Sequence, residues 1–276
     1  MKLTLNGILA FLLAYALGTA ATAQDNCATG KTIKPGVITI GTGDPAYFPW
    51  VIDDRPESGM GFEGSVVYEI ADRLWFAKQQ VEWVRTSFDG ALEPGEKAFD
   101  LNLQQYTITK EREKNIDFSM PYNTSAAAIV VRQPVIDEGI DTEKSALAGL
   151  KWGAAEGTTA KALITKLIAP KEAIQIFTDT SAVTEAMKAD QIHATLVDLP
   201  TALFLAVLML DDGVILGQYP HEVSGDLDQF GAVMAQGSPL KPCVDVAIST
   251  MMDDGSLSLL DAKWLSSNIS VPVIRN

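Results

Sequence analysis

Apolar residues in this chain recur with two periods, one of strands and one of helices, and the two alternate. GVITIGTG (36–43) is a short β-branched run closed by glycine, which predicts a strand and then a turn. Across GFEGSVVYEIADRLWFA (61–77), Val66, Val67, Ile70, Ala71 and Leu74 recur at helical spacing. A strand is expected over 80–87, and a short helix or irregular turn carrying Pro94-Gly95 over 88–99. Residues 100–109 read as strand, then loop. Such alternation implies crossover connections and a mainly parallel sheet.

AAAIVVRQP (126–134) is a strand that leaves this unit, and after a polar linker the alternation restarts. Strands are predicted over 150–157, 174–179 and 194–198, with helices over 158–168, 181–190 and 200–209. A strand over 228–236 returns toward the first unit, and helices over 242–255 and 256–266 finish it. The second α/β unit is thus inserted in the first. The expected division is lobe 1 from 24–126 and 228–276, and lobe 2 from 127–227. Two lobes joined by two crossing strands, near 126 and near 228, form a hinge with a cleft between. Ligands bind at the carboxyl ends of strands and at domain interfaces, so the cleft is the expected site.

The first residues, MKLTLNGILAFLLAYALGTAATAQDN, belong to neither unit. Lys2 gives a basic end, Ile8 to Leu17 an apolar stretch too short to span a bilayer, and Ala21-Thr22-Ala23 the small-x-small form of a cleavage site. The expectation is a signal peptide over 1–23 and a mature chain from Gln24, free outside the cytoplasm; Cys27 lacks the small residues of a lipoprotein site. In an exported chain the two cysteines, Cys27 and Cys243, suggest one disulfide, the alternative being two buried thiols. The net charge of −14 argues against nucleic acid or an anionic membrane as partner. The two histidines, His193 and His221, show no metal-site or triad spacing, and no cofactor or metal is expected.

Several stretches then fall into a recognisable order: GTGDPAYFPW, GFEGSVVYEIADRL, FDGALEP, YTITKEREKNIDFSMPY, Gly157-Thr158-Thr159, ATLVD and DDGSLSLLDAKWL. Together, over about 33–266, they resemble the periplasmic solute-binding proteins that serve ABC importers of polar amino acids, bacterial extracellular solute-binding family 3. The resemblance implies an α/β fold of two Rossmann-like lobes, the type II periplasmic-binding fold. It implies a monomer that closes on a polar or basic amino acid and hands it to membrane permease subunits. Carried over residue by residue, it makes Arg112 the partner of the ligand α-carboxylate, with Thr107 and Thr158 assisting. Asp198 holds the α-ammonium, Tyr47 and Phe88 sandwich the side chain, and Asp44 lies near its far end. Gln104 and Gln105 depart from the small residues usual there; their carbonyls would still face the ammonium, and Gln105 joins the expected ligand set. Trp50 reads as pocket lining or core.

The chemistry of a zwitterion supports these roles. Either charge, buried without a partner, costs several kcal/mol. The planar fork of Arg112 matches a carboxylate, the helix start after Gly157 offers free N–H groups, and Asp198 ends a buried strand. Each residue also has a local alternative. Asp198 before Leu199-Pro200 and Thr158 read as helix caps, Arg112 as a solvated charge among its neighbours, Tyr47 and Phe88 as core, and Asp44-Pro45 as the start of a turn. The same scaffold hosts dehydratases of prephenate-type or arogenate-type acids and murein-lytic enzymes; Glu156 is the candidate catalyst for that alternative. A sensor ectodomain would need a span or signalling domain after the lobes, and none appears before Asn276.

Overall fold

Ten strands divide between two five-stranded sheets in the computed structural model of the chain, which describes residues 26–224, 228–265 and 270–275. In chain order they are β1 (Ile38–Thr42), β2 (Val81–Arg85), β3 (Leu101–Asn102), β4 (Ile116–Ser125), β5 (Ala127–Arg132), β6 (Trp152–Ala155), β7 (Gln175–Phe177), β8 (Ala194–Asp198), β9 (Gly213–Tyr219) and β10 (Asp228–Ala235). The first sheet has the order β2-β1-β3-β10-β4 and the second β7-β6-β8-β5-β9. The expected signal peptide, 1–23, lies outside the described residues. No helix among the described residues is long and apolar enough to cross a membrane.

Both sheets are mixed, which corrects the expectation of mainly parallel ones. β1 runs parallel to β2 and β3, and β6 parallel to β7 and β8. β10 is antiparallel to β3 and β4, and β5 antiparallel to β8 and β9. The cause lies in the hinge. β4 passes into β5 with one residue between, carrying the chain from the first sheet to the second, and β10 returns beside β4 in the opposite sense. β9 is absent from the sequence reading. It edges the second sheet and pairs with β5 along Ala127 to Arg132.

The helical spacing at 66–74 lands where it should. Val66, Val67, Ile70, Ala71 and Leu74 are all buried, facing Ile38 and Ile40 of β1 and Val244, Ile248 and Met251 of helix Lys241–Asp253 in one cluster. In lobe 2, Ala127 to Val131 is an unbroken apolar run because β5 is covered on both faces. One face meets Trp152, Ile164 and Leu196; the other meets Val183, Met187 and Leu205. Cys27 and Cys243 form the expected disulfide, with Cα atoms 5.7 Å apart, pinning the start of the described chain to lobe 1.

The tail departs from the expected division. Residues 270–275 lie on lobe 2, not lobe 1. Gln218 donates to the Pro272 carbonyl at 2.8 Å, Ile274 donates back to Gln218 at 2.9 Å, and Ile274 joins the lobe 2 core. Gly217 makes room for it: a Cβ there would sit 2.6 Å from Ile274 Cγ1. The chain therefore crosses between lobes a third time, after helix Ser256–Trp264.

Candidate functional site

A cavity of about 390 Å³ opens between the lobes, where β1, β2, β3, β6, β7 and β8 present their carboxyl ends. Seven of the eight expected ligand residues line it: Asp44, Tyr47, Phe88, Gln105, Thr107, Thr158 and Asp198. Arg112 does not. It begins a short 3-10 turn, Arg112–Lys114, and its guanidinium crosses the cleft edge. One amino group donates to the Thr107 carbonyl and the other to the Gly157 carbonyl of lobe 2, each at 2.7 Å. Its carbon stands 5.5 Å from the Phe88 ring centroid. Burial lowers its pKa, opposed by the nearby acids Asp228 and Asp89.

Asp198 fills both roles that its sequence position allowed. As the last residue of β8 it caps helix Leu199–Phe204, accepting from the Thr201 N–H at 2.8 Å, and it lines the cavity. Removal from water and the neighbouring Asp228 carboxylate push its pKa up to about 6, against the hydrogen bonds of Thr201. Thr158 turns its hydroxyl to the Ala155 carbonyl at 2.8 Å, a local turn at the cavity wall. Asp179 caps helix Thr180–Lys188 in the same manner as Asp198, accepting from Ala182 N–H at 2.8 Å.

Lobe 1 contributes a different construction. Gln105 is held at φ +52°, a backbone region most residues avoid, because Glu63 grips it twice. The Gln105 N–H donates to one Glu63 oxygen at 2.8 Å and the side-chain amide donates to the other. The Tyr122 hydroxyl donates to Glu63 as well. Glu63 is 2% exposed, and desolvation pushes its pKa up to about 7 despite these three donors. The Gln105 amide is thus committed to Glu63. Gln104 is buried too, with its amide within 3.0 Å of Thr86 Oγ1, Asn102 Oδ1 and the Tyr106 hydroxyl. Tyr106 donates on to the Phe88 carbonyl. Phe88 stacks at 4.5 Å on Tyr106, so it is both core and cavity wall.

Three cavity-lining acids, Glu63, Asp179 and Asp228, were missed in the sequence. Glu63 had a signal, the Gly-Phe-Glu step at 61–63 inside one of the family stretches. Asp228 begins β10 and accepts from the Thr107 hydroxyl at 2.7 Å. Burial raises its pKa.

The lobes also meet directly around the cavity. Trp50, 1% exposed, packs edge-on to Phe62 and Phe230 in the lobe 1 core, yet its indole donates to Thr201 Oγ1 of lobe 2 at 3.1 Å. The Tyr47 hydroxyl lies 3.0 Å from Ser181 Oγ, and the Tyr47 and Phe48 rings approach Phe204 at 6.4 and 5.8 Å. Glu156 lines the mouth and is exposed. His193 is half-buried, its Nδ1 accepting from Lys151 N–H at 3.3 Å. No group of metal-ligating side chains is present among the described residues.

Comparison with known proteins agrees with this architecture. The family model for bacterial extracellular solute-binding proteins, family 3, matches residues 38–267. The L-cystine-binding protein TcyJ of Escherichia coli strain K12 is 25% identical over 268 residues, covering 96% of each chain. An ancestral arginine-binding protein, solved with arginine bound, superposes with a TM-score of 0.67 at 26% identity, over 84% of this chain and 99% of its own. The ancestral amino acid-binding protein AncCDT-1, described as a precursor of cyclohexadienyl dehydratase, gives the same TM-score and identity over 84% and 96%.

Proposed function

The chain belongs to the bacterial extracellular solute-binding proteins, family 3, and from that premise we propose that it is an amino-acid receptor. It is exported, processed after Ala23, and works as a monomer outside the cytoplasm. It closes its lobes on a polar or basic amino acid and passes it to the permease subunits of an ABC importer. The observation that carries this reading is the cavity between the lobes, with Asp198 on its wall and Arg112 at its edge. Asp198 pairs with the α-ammonium. Arg112 swings from the Gly157 carbonyl to the α-carboxylate, a charged acceptor that outbids a neutral one. Ligand then favours the closed state through contacts the open state lacks.

The relatives support binding over turnover. TcyJ is a cystine-binding protein, and the ancestral neighbour binds arginine. AncCDT-1 is itself an amino acid-binding protein, though a precursor of an enzyme. An enzymatic reading would rest on Glu156, which is exposed at the cavity mouth.

The test is a thermal-shift panel on residues 24–276, stripped of ligand by unfolding and refolding, against the standard amino acids and cystine. A ligand at 100 times its Kd stabilises by about 2.7 kcal/mol, several degrees for a chain of this size. The expected result is a large shift with one polar or basic amino acid, lost in Arg112→Ala. No shift with any amino acid would overturn the reading and redirect attention to cyclic acids and peptidoglycan fragments.

A further inference from the structure

The ionisable groups of the cavity are all acids. Asp44, Glu156 and Asp179 stand exposed at its mouth, and Glu63, Asp198 and Asp228 line its inner wall. Among the described residues, no lysine, arginine or histidine lines it. Two arginines outside the lining reach its backbone: Arg85 donates to the Gly43 carbonyl and is held by Asp54, and Arg112 donates to the Thr107 carbonyl and is faced by Asp228 and Asp89.

A neutral zwitterion needs one anion and one cation, and Asp198 with Arg112 would supply them. Asp228 is then left over. It is drawn from water, bonded to the Thr107 hydroxyl at 2.7 Å, and close enough to Asp198 to disfavour its ionisation. Glu63 differs, because three donors from Tyr122 and Gln105 surround it and fix its place in lobe 1. Asp228 lies at the start of the returning hinge strand, where its charge acts on whatever the lobes enclose. Carboxylates that line one cavity screened from water repel each other, and a cation brought into that cavity relieves both. A neutral zwitterion brings no surplus charge to do so.

Resting on the amino-acid reading above, we infer that Asp228 is a specificity-determining residue, and that the ligand is an amino acid whose side chain is itself cationic. The exposed acids at the mouth extend the same preference outward, raising the local concentration of cations.

The experiment is titration calorimetry of the exported chain with L-arginine and L-lysine, and with L-citrulline, a neutral isostere of arginine. L-glutamine and L-cystine complete the set. Wild type is expected to bind one of the basic pair at least about 100-fold tighter than any neutral ligand. Asp228→Asn, which keeps shape and an acceptor for Thr107, is expected to shrink that ratio at least about tenfold by weakening the basic ligand alone. Equal or tighter binding of citrulline, glutamine or cystine by wild type would overturn this inference while leaving the amino-acid reading standing. Equal weakening of all ligands in Asp228→Asn would also overturn it. Binding of no amino acid would overturn the parent reading and this one with it. The wild-type ratio decides the matter even if the variant does not fold.

Discussion

The two walls of the cavity are held in place by different means. In lobe 1, side chains hold one another, several of them across distant stretches of sequence. Glu63 fixes Gln105 and accepts from Tyr122, while Gln104 ties Thr86, Asn102 and Tyr106 together beneath Phe88. In lobe 2, each residue is set by its own backbone within three positions. Asp198 caps onto Thr201, Asp179 onto Ala182, and Thr158 turns back on Ala155. A network makes its members interdependent, so removing one disturbs several. A local cap can be changed in charge while its geometry stays. Lobe 1 is thus the pre-formed surface, and lobe 2 carries separable groups to it.

The sharpest way to break this comparison is Asp198→Asn. Asparagine caps a helix as well as aspartate does, so the geometry should survive. The charge opposite the ligand ammonium is lost, and affinity should fall at least about 100-fold. Stability should move the other way. A carboxyl raised from 3.8 to about 6 is penalised for ionising in the fold, by up to about 3 kcal/mol above pH 7. The ligand-free variant should therefore melt several degrees higher at pH 7.5. A lower melting temperature would mean that Asp198 is structural.

Next comes Glu63→Leu, aimed at the network. It leaves the Tyr122 hydroxyl and the Gln105 N–H without their acceptor, at a cost of about 2–4 kcal/mol. The melting temperature should drop by roughly 5–15 °C. A near-neutral result would mean that the lobe 1 wall is held locally after all.

Titration sharpens the contrast. Unfolded carboxyls ionise near pH 4, but Asp198 does so at about 6 and Glu63 at about 7 in the fold. Between those values the folded chain holds more protons than the unfolded one. The stabilisation these groups give is therefore fully present below about pH 4 and is lost as pH rises through 6 and 7. Affinity for a cationic ligand should rise over the same range, because binding favours the ionised acids. Calorimetry at pH 5, 6, 7 and 8 reads the slope, and a flat profile would contradict it.

The smallest effect is expected where the lobes touch without ligand. Thr201→Val removes the acceptor that lobe 2 offers to the Trp50 indole, whose ring is packed in the lobe 1 core. Closure should cost about 1–2 kcal/mol more, weakening affinity roughly 5- to 30-fold with little change in ligand-free melting. Tryptophan fluorescence on ligand addition reads the same contact.

The sequence told more about the elements than about their contacts. Periodicity located the helix at 62–73 and the alternation of both lobes, because burial of one face dictates those patterns. It missed β9, an edge strand whose GVILGQY lacks clean alternation. Seven of the residues that the family resemblance named line the cavity, each at or after a strand end. The position of Arg112 depends on the Gly157 carbonyl, 45 residues away, which no local pattern can show. Asp228 opens the strand predicted over 228–236, and nothing in GDLDQF marks it as a cavity residue. Only the return of β10 beside β4 brings it inward.

The third crossing sets a limit on opening. Leu265 is anchored to the lobe 1 core, and Val271 to Ile274 are anchored on β9 of lobe 2. Five residue steps separate Leu265 from residue 270, a reach of about 18 Å when fully extended. However far the lobes part, those two anchored points stay within that reach of each other.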